Sequence, residues 1–330
     1  MSKFEELTNC IKKFSHDDLQ QLLGLVTCML SNIPAEKPCC PYCGSANVIR
    51  YGLKRGKQRF LCKHCGRTFV TTTHTVMSHS HFGADIWTEV IRDTVCGDAI
   101  DYTAKRLGLS HQTVFHMRHK LFLALQQLPE RKSLLLGEVT ELDETFVLDS
   151  YKGKRLPDTV CRKARKHGAT AAKRGISNEY ICICTGIQRN GSAYAATVNR
   201  AKPSADELAE LFGERIAQGT LALCDGLKSY HILTEIVGCT IKDCSTSTKE
   251  EKCFYHLNTV NGFHSFIKQR YDFYRGVATK YLNRYNTLFS AAYRNIDCLI
   301  QKLAEMLLSV GTMNYFHSNK DVKEQGLLFI

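Results

Sequence analysis

The stretch EVTELDETFV, residues 138–147, turns the chain from helical to strand-like patterning and sets Asp143 on a β-rich segment. Downstream, Glu179–Ile187 and Ser192–Val198 flank Asn190-Gly191, a pair suited to a hairpin turn because both residues tolerate positive φ. Ser204 and Glu207 have the spacing of a capping box, for a helix that carries Leu208, Leu211, Phe212 and Ile216 and runs to Gly219. A strand over Thr220–Cys224 ends in Asp225-Gly226, and a helix around Ile232–Ile236 and a short strand around Thr240–Cys244 follow. The order is three strands, helix, strand, helix, strand, helix. Asp143 and Asp225 stand at strand positions from which carboxylates can hold a divalent cation. Taken singly each has a plainer reading: Asp-Gly is a common turn, and Glu141 and Glu144 compete with Asp143 as the exposed acid.

Upstream lies a helical pair. Residues 98–107, DAIDYTAKRL, are closed by Gly108, and Ser110 can cap a second helix that opens with His111, Gln112, Thr113 and Val114. Ile100, Ala104 and Leu107 would pack against Val114, Met117 and Leu121, leaving His111, Gln112, His116 and Arg118 to project as a recognition helix does into a DNA groove. A plain packing hairpin has the same pattern, so this reading stays open beside the helix-turn-helix.

Further upstream, Cys40-Pro-Tyr-Cys43 and Cys62-Lys-His-Cys65 are two C-x-x-C knuckles at the spacing of a four-cysteine zinc site. Four thiolates would fill a tetrahedral ion and leave no open position, so Zn2+ here is expected to be structural, with Cys39 a spare beside the first ligand. The stretch between them, Val48–Phe60, reads as a hairpin whose turn carries Lys54, Arg55 and Lys57, with Arg50 and Arg59 on its arms. Such a ribbon suits phosphate contact, although a solvated turn and a protein-docking module remain alternatives.

A net charge of +12 favours an anionic partner, either nucleic acid or a membrane surface. No apolar run is long enough to span a bilayer, and MSKFEELTNC lacks a signal peptide's apolar core, so the expectation is a soluble, cytoplasmic protein. Most of the 16 cysteines are scattered singly through apolar stretches, as are Cys182, Cys184 and Cys224, and read as core filler in a reducing compartment. Between Asp143 and the hairpin runs a basic stretch, Lys152, Lys154 and Arg155 through Arg162, Lys163, Arg165 and Lys166 to Lys173 and Arg174, with Asp158 its only acid. It repels itself when free and is expected to order on a polyanion, a solvated loop being the alternative. An amphipathic helix over roughly Asp17–Leu30 could pack on a partner subunit or cover the ribbon.

The last informative stretch is HLNTVNGFHSFIK, residues 256–268, in which Asn261, Ser265 and Lys268 fall on one helical face while Val260, Phe263 and Ile267 face inward. It resembles the terminal catalytic helix of bacterial insertion-sequence transposases that carry an amino-terminal zinc ribbon and a signature of Asp, Asp, Glu or Asn, then Lys. The resemblance runs from Cys40 through the aromatic-rich stretch Tyr281–Tyr293. It implies an α+β multidomain chain with a zinc ribbon, a helix-turn-helix and an RNase H-like α/β catalytic domain built on a mixed five-stranded sheet. The implied divisions are an N-terminal helical segment at 1–36, the ribbon at 37–72, the DNA-binding helices at 83–130, the catalytic domain at 135–315 and a tail at 316–330.

Carried over residue by residue, the resemblance implies Asp143, Asp225, Asn261 and Lys268 as catalytic, with the first three binding Mg2+ or Mn2+ and Lys268 meeting DNA phosphate. Asn261 departs from the more widespread glutamate: its amide offers an oxygen but no charge, and Glu144 could supply what it lacks. The implied activity is metal-dependent strand cleavage at the element's terminal repeats, then strand transfer to target DNA, by a homo-oligomer. No nucleotide-binding G-x-x-x-x-G-K-[ST] loop is present, consistent with transesterification that needs no nucleotide energy. A zinc-ribbon and helix-turn-helix regulator, or a catalytically inactive domesticated copy, is the alternative.

Overall fold

A computed structural model describes residues 38–54, 56–153, 155–156, 171, 177, 179–308 and 313–324, together with positions 11, 14, 15, 18, 19 and 22. The expected N-terminal helix lies for the most part outside the described residues. Near the start, β1 (Val48–Lys54) and β2 (Lys57–Cys62) form the anticipated hairpin, and β3 (Thr68–Val70) adds a third antiparallel strand. That strand is too short to show alternation in the sequence; it exists because Phe69 pairs with Phe60 and both are buried in a small core with Val48, Cys40 and Cys62.

Three helices follow: α1 (Ala84–Cys96), α2 (Ile100–Leu107) and α3 (His111–Gln127). Gly108 closes α2 in the left-handed region at φ 65°, and the Ser110 side chain accepts from the Thr113 N–H. Ala104, Val114, Met117 and Leu121 are buried, as the apolar spacing requires.

The second sheet contains β4 (Val139–Leu148), β5 (Tyr180–Gln188), β6 (Ala193–Thr197), β7 (Leu221–Cys224) and β8 (Thr240–Asp243) in the spatial order β6-β5-β4-β7-β8. The first three are antiparallel, whereas β7 and β8 run parallel to β4. The sheet is therefore mixed and five-stranded, and the helices α4 (Ala205–Phe212), α5 (Ile232–Val237) and α6 (Asn258–Phe273) interleave with its strands in the anticipated sequence. Two more, α7 (Leu282–Ala292) and α8 (Ile296–Leu308), complete the second half of the chain.

Strand period decides which core each side chain joins. On β5, Ile181, Ile183 and Ile187 enter a large core with helices α1, α3, α6, α7 and α8, while Cys182 and Cys184 enter a smaller one with Leu208, Leu211 and Phe212 of α4. Cys182, Cys184 and Cys224 are buried core filler, whereas Cys96, Cys253 and Cys298, also scattered singly, are exposed. One continuous core joins the helical pair α2–α3 to the sheet, for the Phe122 ring meets Tyr285 edge-on at 4.7 Å.

The helix carrying Leu208 is shorter than its sequence suggests. Its capping box forms as expected, but α4 stops at Phe212 and Ile216 lies beyond it. The backbone there pairs elsewhere: Leu136 N–H donates to the Arg215 carbonyl and Ala217 N–H to that of Leu136. Long-range pairing draws these residues out of the helix. Among the described residues no helix is long and apolar enough to cross a membrane.

Candidate active site

Register brings the two aspartates together. Val139, Thr140 and Glu141 of β4 lie opposite Leu221, Ala222 and Leu223 of β7; continued past the last paired residues, this register carries Asp143 toward Asp225, just beyond the end of β7, and the two carboxyls interact electrostatically. Asp225 is exposed and Asp143 half-buried. Burial pushes the Asp143 carboxyl up to about 6; Glu144 and Asp225 add to the rise, while the Glu144 N–H, donating to Oδ1 at 2.9 Å, and Lys268 oppose it. Gly226, at φ 63°, turns the chain after Asp225 where an added Cβ would approach Asp243 Oδ2 to 3.1 Å.

Helix α6 lies on this face of the sheet. Its buried stripe is Val260, Phe263 and Ile267, and Asn261, Ser265 and Lys268 are exposed on the opposite side, as the spacing demands. Asp225 and Lys268 each lie within electrostatic reach of Asp143. Asn261 sits a turn nearer the start of the helix than His264, and its backbone carbonyl accepts from Ser265 Oγ at 3.0 Å.

What holds α6 in place was hidden in the sequence. Glu141, two residues before Asp143 and on the same face of β4, is fully buried rather than an exposed competitor. Its Oε2 accepts from the Thr259 and Val260 N–H groups at 2.8 and 2.9 Å, capping α6 from a different element. Its Oε1 accepts from Arg189 Nε at 2.7 Å, and the same guanidinium donates to the carbonyls of Phe254 and His256 at 2.7 and 3.0 Å. The helix start, the sheet and the segment between them are joined through one buried ion pair.

His264 is a second residue that the pattern concealed. Buried on α6, it places Nε2 2.6 Å from Thr185 Oγ1 and Nδ1 3.7 Å from Asp143 Oδ2. The Thr185 hydroxyl donates to the Asp143 carbonyl at 2.8 Å, which leaves His264 Nε2–H as the donor to Oγ1 and Nδ1 without a proton. Burial, aided by Lys268, holds this imidazole down to about 4, so the ring is neutral. Glu144 turns to the opposite face, against the buried Tyr230, with its carboxyl pushed up by burial and by Asp225 among others.

The four cysteines gather as their spacing implies. Cys40, Cys43, Cys62 and Cys65 hold their sulfurs within 4.8 Å of one another, with Cys40–Cys65 at 3.7 Å and Cys43–Cys62 at 3.6 Å. A tetrahedral site with Zn–S near 2.3 Å needs sulfur separations of roughly 3.8 Å. The two knuckles repeat one geometry: Gly44 N–H donates to the Cys40 carbonyl and Gly66 N–H to that of Cys62, each glycine at positive φ. Backbone amides of Cys65 and His64 hold the Cys62 thiol down to about 6, while burial and the neighbouring sulfurs push that of Cys43 up to about 12. Cys39 is exposed and outside the cluster.

Of the candidate DNA contacts, Lys54 and Lys57 are exposed and paired across the ribbon turn. His111 and Gln112 are exposed on the first turn of α3, and His116 is half-buried with its ring 3.0 Å from the Gln112 amide. Arg118 does not project. It is 1 % exposed, donates to Thr94 Oγ1 and the Asp98 carbonyl, and lies over the Tyr274 ring. Four residues after Val114 and three before Leu121, it belongs to the buried stripe of α3. Arg55, Arg162, Lys163, Arg165, Lys166, Lys173 and Arg174 lie outside the described residues.

Residues 135–295 match the model of the ISXO2-like transposase domain. A relative from Halobacterium salinarum (strain ATCC 700922 / JCM 11081 / NRC-1), described as an uncharacterized protein in transposable element ISH50, is 26% identical over 252 residues, covering 76% of this chain and 83% of its own length. A solved pre-cleavage Mos1 transpososome aligns with 64% of this chain and 75% of its own at 10% identity and a TM-score of 0.21. Residues 135–295 are thus similar to the transposase domain of insertion sequences, and the relative that spans most of the chain also lies in a transposable element.

Proposed function

We propose that this transposase binds the terminal repeats of its element, cuts a DNA strand there and joins the exposed 3′-hydroxyl to target DNA. The observation that carries the reading is the parallel register that carries Asp143 toward Asp225, with Lys268 of α6 within electrostatic reach. A carboxyl raised by burial and by neighbouring carboxylates, only partly offset by Lys268, would gain from a cation, and hard oxygen donors suit Mg2+ or Mn2+. Asp143, Asp225 and the amide oxygen of Asn261 would hold the cation. When bound, it supplies Lewis-acid stabilisation of the entering and leaving oxygens and lowers the pKa of the attacking water. Lys268 neutralises a backbone phosphate near the scissile bond, and the neutral His264 with Thr185 braces Asp143 without competing for the cation's charge.

Zn2+ on Cys40, Cys43, Cys62 and Cys65 stabilises the ribbon, whose Lys54, Arg55 and Lys57 contact phosphate. His111, Gln112 and His116 read the repeat from the start of α3. The basic stretch Arg162, Lys163, Arg165, Lys166, Lys173 and Arg174 follows the DNA backbone. Pairing of two element ends makes the active form a homo-oligomer, working in the cytoplasm.

The test is an in vitro reaction with the element's own termini, a supercoiled target and Mg2+ or Mn2+, wild type against Asp225→Ala. Joined products from wild type alone support the reading. Tight DNA binding with neither nicking nor joining by either protein supports the second reading, a DNA-binding regulator or inactive domesticated copy. That reading is favoured by one observation, the uncharged Asn261 at a ligand position.

A further inference from the structure

An open cleft of about 590 Å³ lies between the turn after α3, the β5–β6 turn and the corner joining α7 to α8. It is lined by Arg131, Arg189, Arg294 and Lys302, and Glu130 is the only acid among its described lining residues. Arg189 is already neutralised by Glu141. Lys302 reaches Glu130 only at 3.4 Å between two half-exposed side chains, a pair that solvent screens. Arg294, held at φ 63°, donates through Nη1 to the Arg189 carbonyl and has no ion pair among the described residues.

Arg131 is the unusual member. Burial holds its guanidinium down to about 10, still charged at neutral pH; Tyr194 and Glu130 oppose that shift, Arg215 adds to it, and the buried Nε has no hydrogen-bond partner. A buried guanidinium N–H without an acceptor is unfavourable unless an anion completes it. Planar N–H donors beside two further cations suit phosphate oxygens.

We propose that this cleft is a binding site for the phosphodiester backbone of duplex DNA, distinct from the aspartate pair, with Arg131, Arg294 and Lys302 as its phosphate contacts. The proposal rests on the reading of the chain as a DNA-handling transposase. The cleft adjoins the clamp that docks α6: Arg189 reaches Glu141 from the start of the β5–β6 turn, and the Arg189 N–H donates to the Val139 carbonyl at the beginning of β4. The cleft thus lies at the start of β4, the end of the β4–β7 pair away from Asp225. Backbone contacts of this kind set register and orientation and carry no sequence information.

Full-length wild type, Arg131→Met and Arg294→Gln/Lys302→Gln are compared for binding to a duplex of arbitrary sequence across a range of potassium chloride concentrations. Removing one cation from a phosphate makes the slope of log K against log salt shallower by about 1, so the slope should fall by about 1 in Arg131→Met and by about 2 in the double variant. Arg131→Met should melt no lower than wild type, because an apolar stem replaces an unpaired charge. Unchanged slopes in both variants beside a binding wild type overturn the site. A wild type that binds no duplex at any salt overturns the DNA-handling reading beneath it, a result separable from the first.

Discussion

The ribbon and the carboxylate site are both clusters of anionic ligands, yet they are built in opposite ways. Cys40, Cys43, Cys62 and Cys65 lie on two tight knuckles whose geometry is local: a carbonyl, a left-handed glycine and two thiols in each. Asp143, Asp225, Asn261 and Lys268 come from β4, the turn after β7 and α6, far apart in the chain. The ribbon has a core of only a few residues around its four cysteines, whereas the sheet is sandwiched between two larger apolar cores. A local site therefore needs a ligand for its shape, and a dispersed site takes its shape from the fold.

Zinc removal should give the largest effect. Structural zinc contributes about 10–16 kcal/mol of apparent binding free energy in small modules. Chelation, or Cys62→Ser, should erase amide-exchange protection over β1–β3 and leave that of β4–β8 intact. Simultaneous loss in both sheets would show that the ribbon is no independent unit, and the contrast would fail.

At the aspartate pair the expected result is reversed: function goes and fold stays. Loss of several kcal/mol of transition-state stabilisation in Asp225→Ala lowers the joining rate about a thousandfold or more. Its melting temperature should hold or rise, since one of two neighbouring carboxylates is gone. A drop in melting temperature as large as the chelator's effect would mean that the pair is structural.

Between these extremes stands Glu141. Glu141→Ala leaves Arg189 buried without its partner and two helix N–H groups uncapped, at a cost of about 3–5 kcal/mol read from denaturant midpoints. Glu141→Gln keeps an acceptor oxygen and should lose markedly less. Equal losses for the two would show that charge, not capping, is what α6 requires.

The smallest effect concerns acid. His119 is buried where α3 meets α7, its Nδ1 3.1 Å from Arg284, and burial with the Arg284 charge holds its pKa well below the usual imidazole value. Its folded pKa is depressed, so the unfolded chain binds more protons once the pH falls below about 6.5. Stability is full above that value and declines beneath it by up to about 1.4 kcal/mol per pH unit from this one group. His119→Phe should flatten that slope; an unaltered slope would move the cause to another histidine.

Legibility in the sequence follows the same division. The knuckles, the α2–α3 turn at Gly108 and Ser110, the β5–β6 hairpin and the capping box at Ser204 all rest on residues within a few positions of one another, and each formed where its signal lay. Arg118 was misplaced because side-chain polarity argued for solvent while its helical position argued for the core, and the position prevailed once Thr94 and the Asp98 carbonyl met its donors. Glu141 and His264 gave no signal, since a buried glutamate or histidine is recognisable only through partners that the chain places more than a hundred or several tens of residues away. The early end of α4 has the same origin in the pairing of Leu136 with Arg215 and Ala217.

Short-range order thus came from the residues themselves: periodicity chose helix or strand, glycine and serine chose the ends, and cysteine spacing chose the metal module. Adjacency did not. That Asp143 lies near Asp225, that α6 is docked by Glu141 and Arg189, and that Arg131 lines an open cleft with its Nε unpartnered all depend on strand register and helix placement. Those are settled by burying two apolar faces of one sheet at once, a condition on the whole chain that no local window contains.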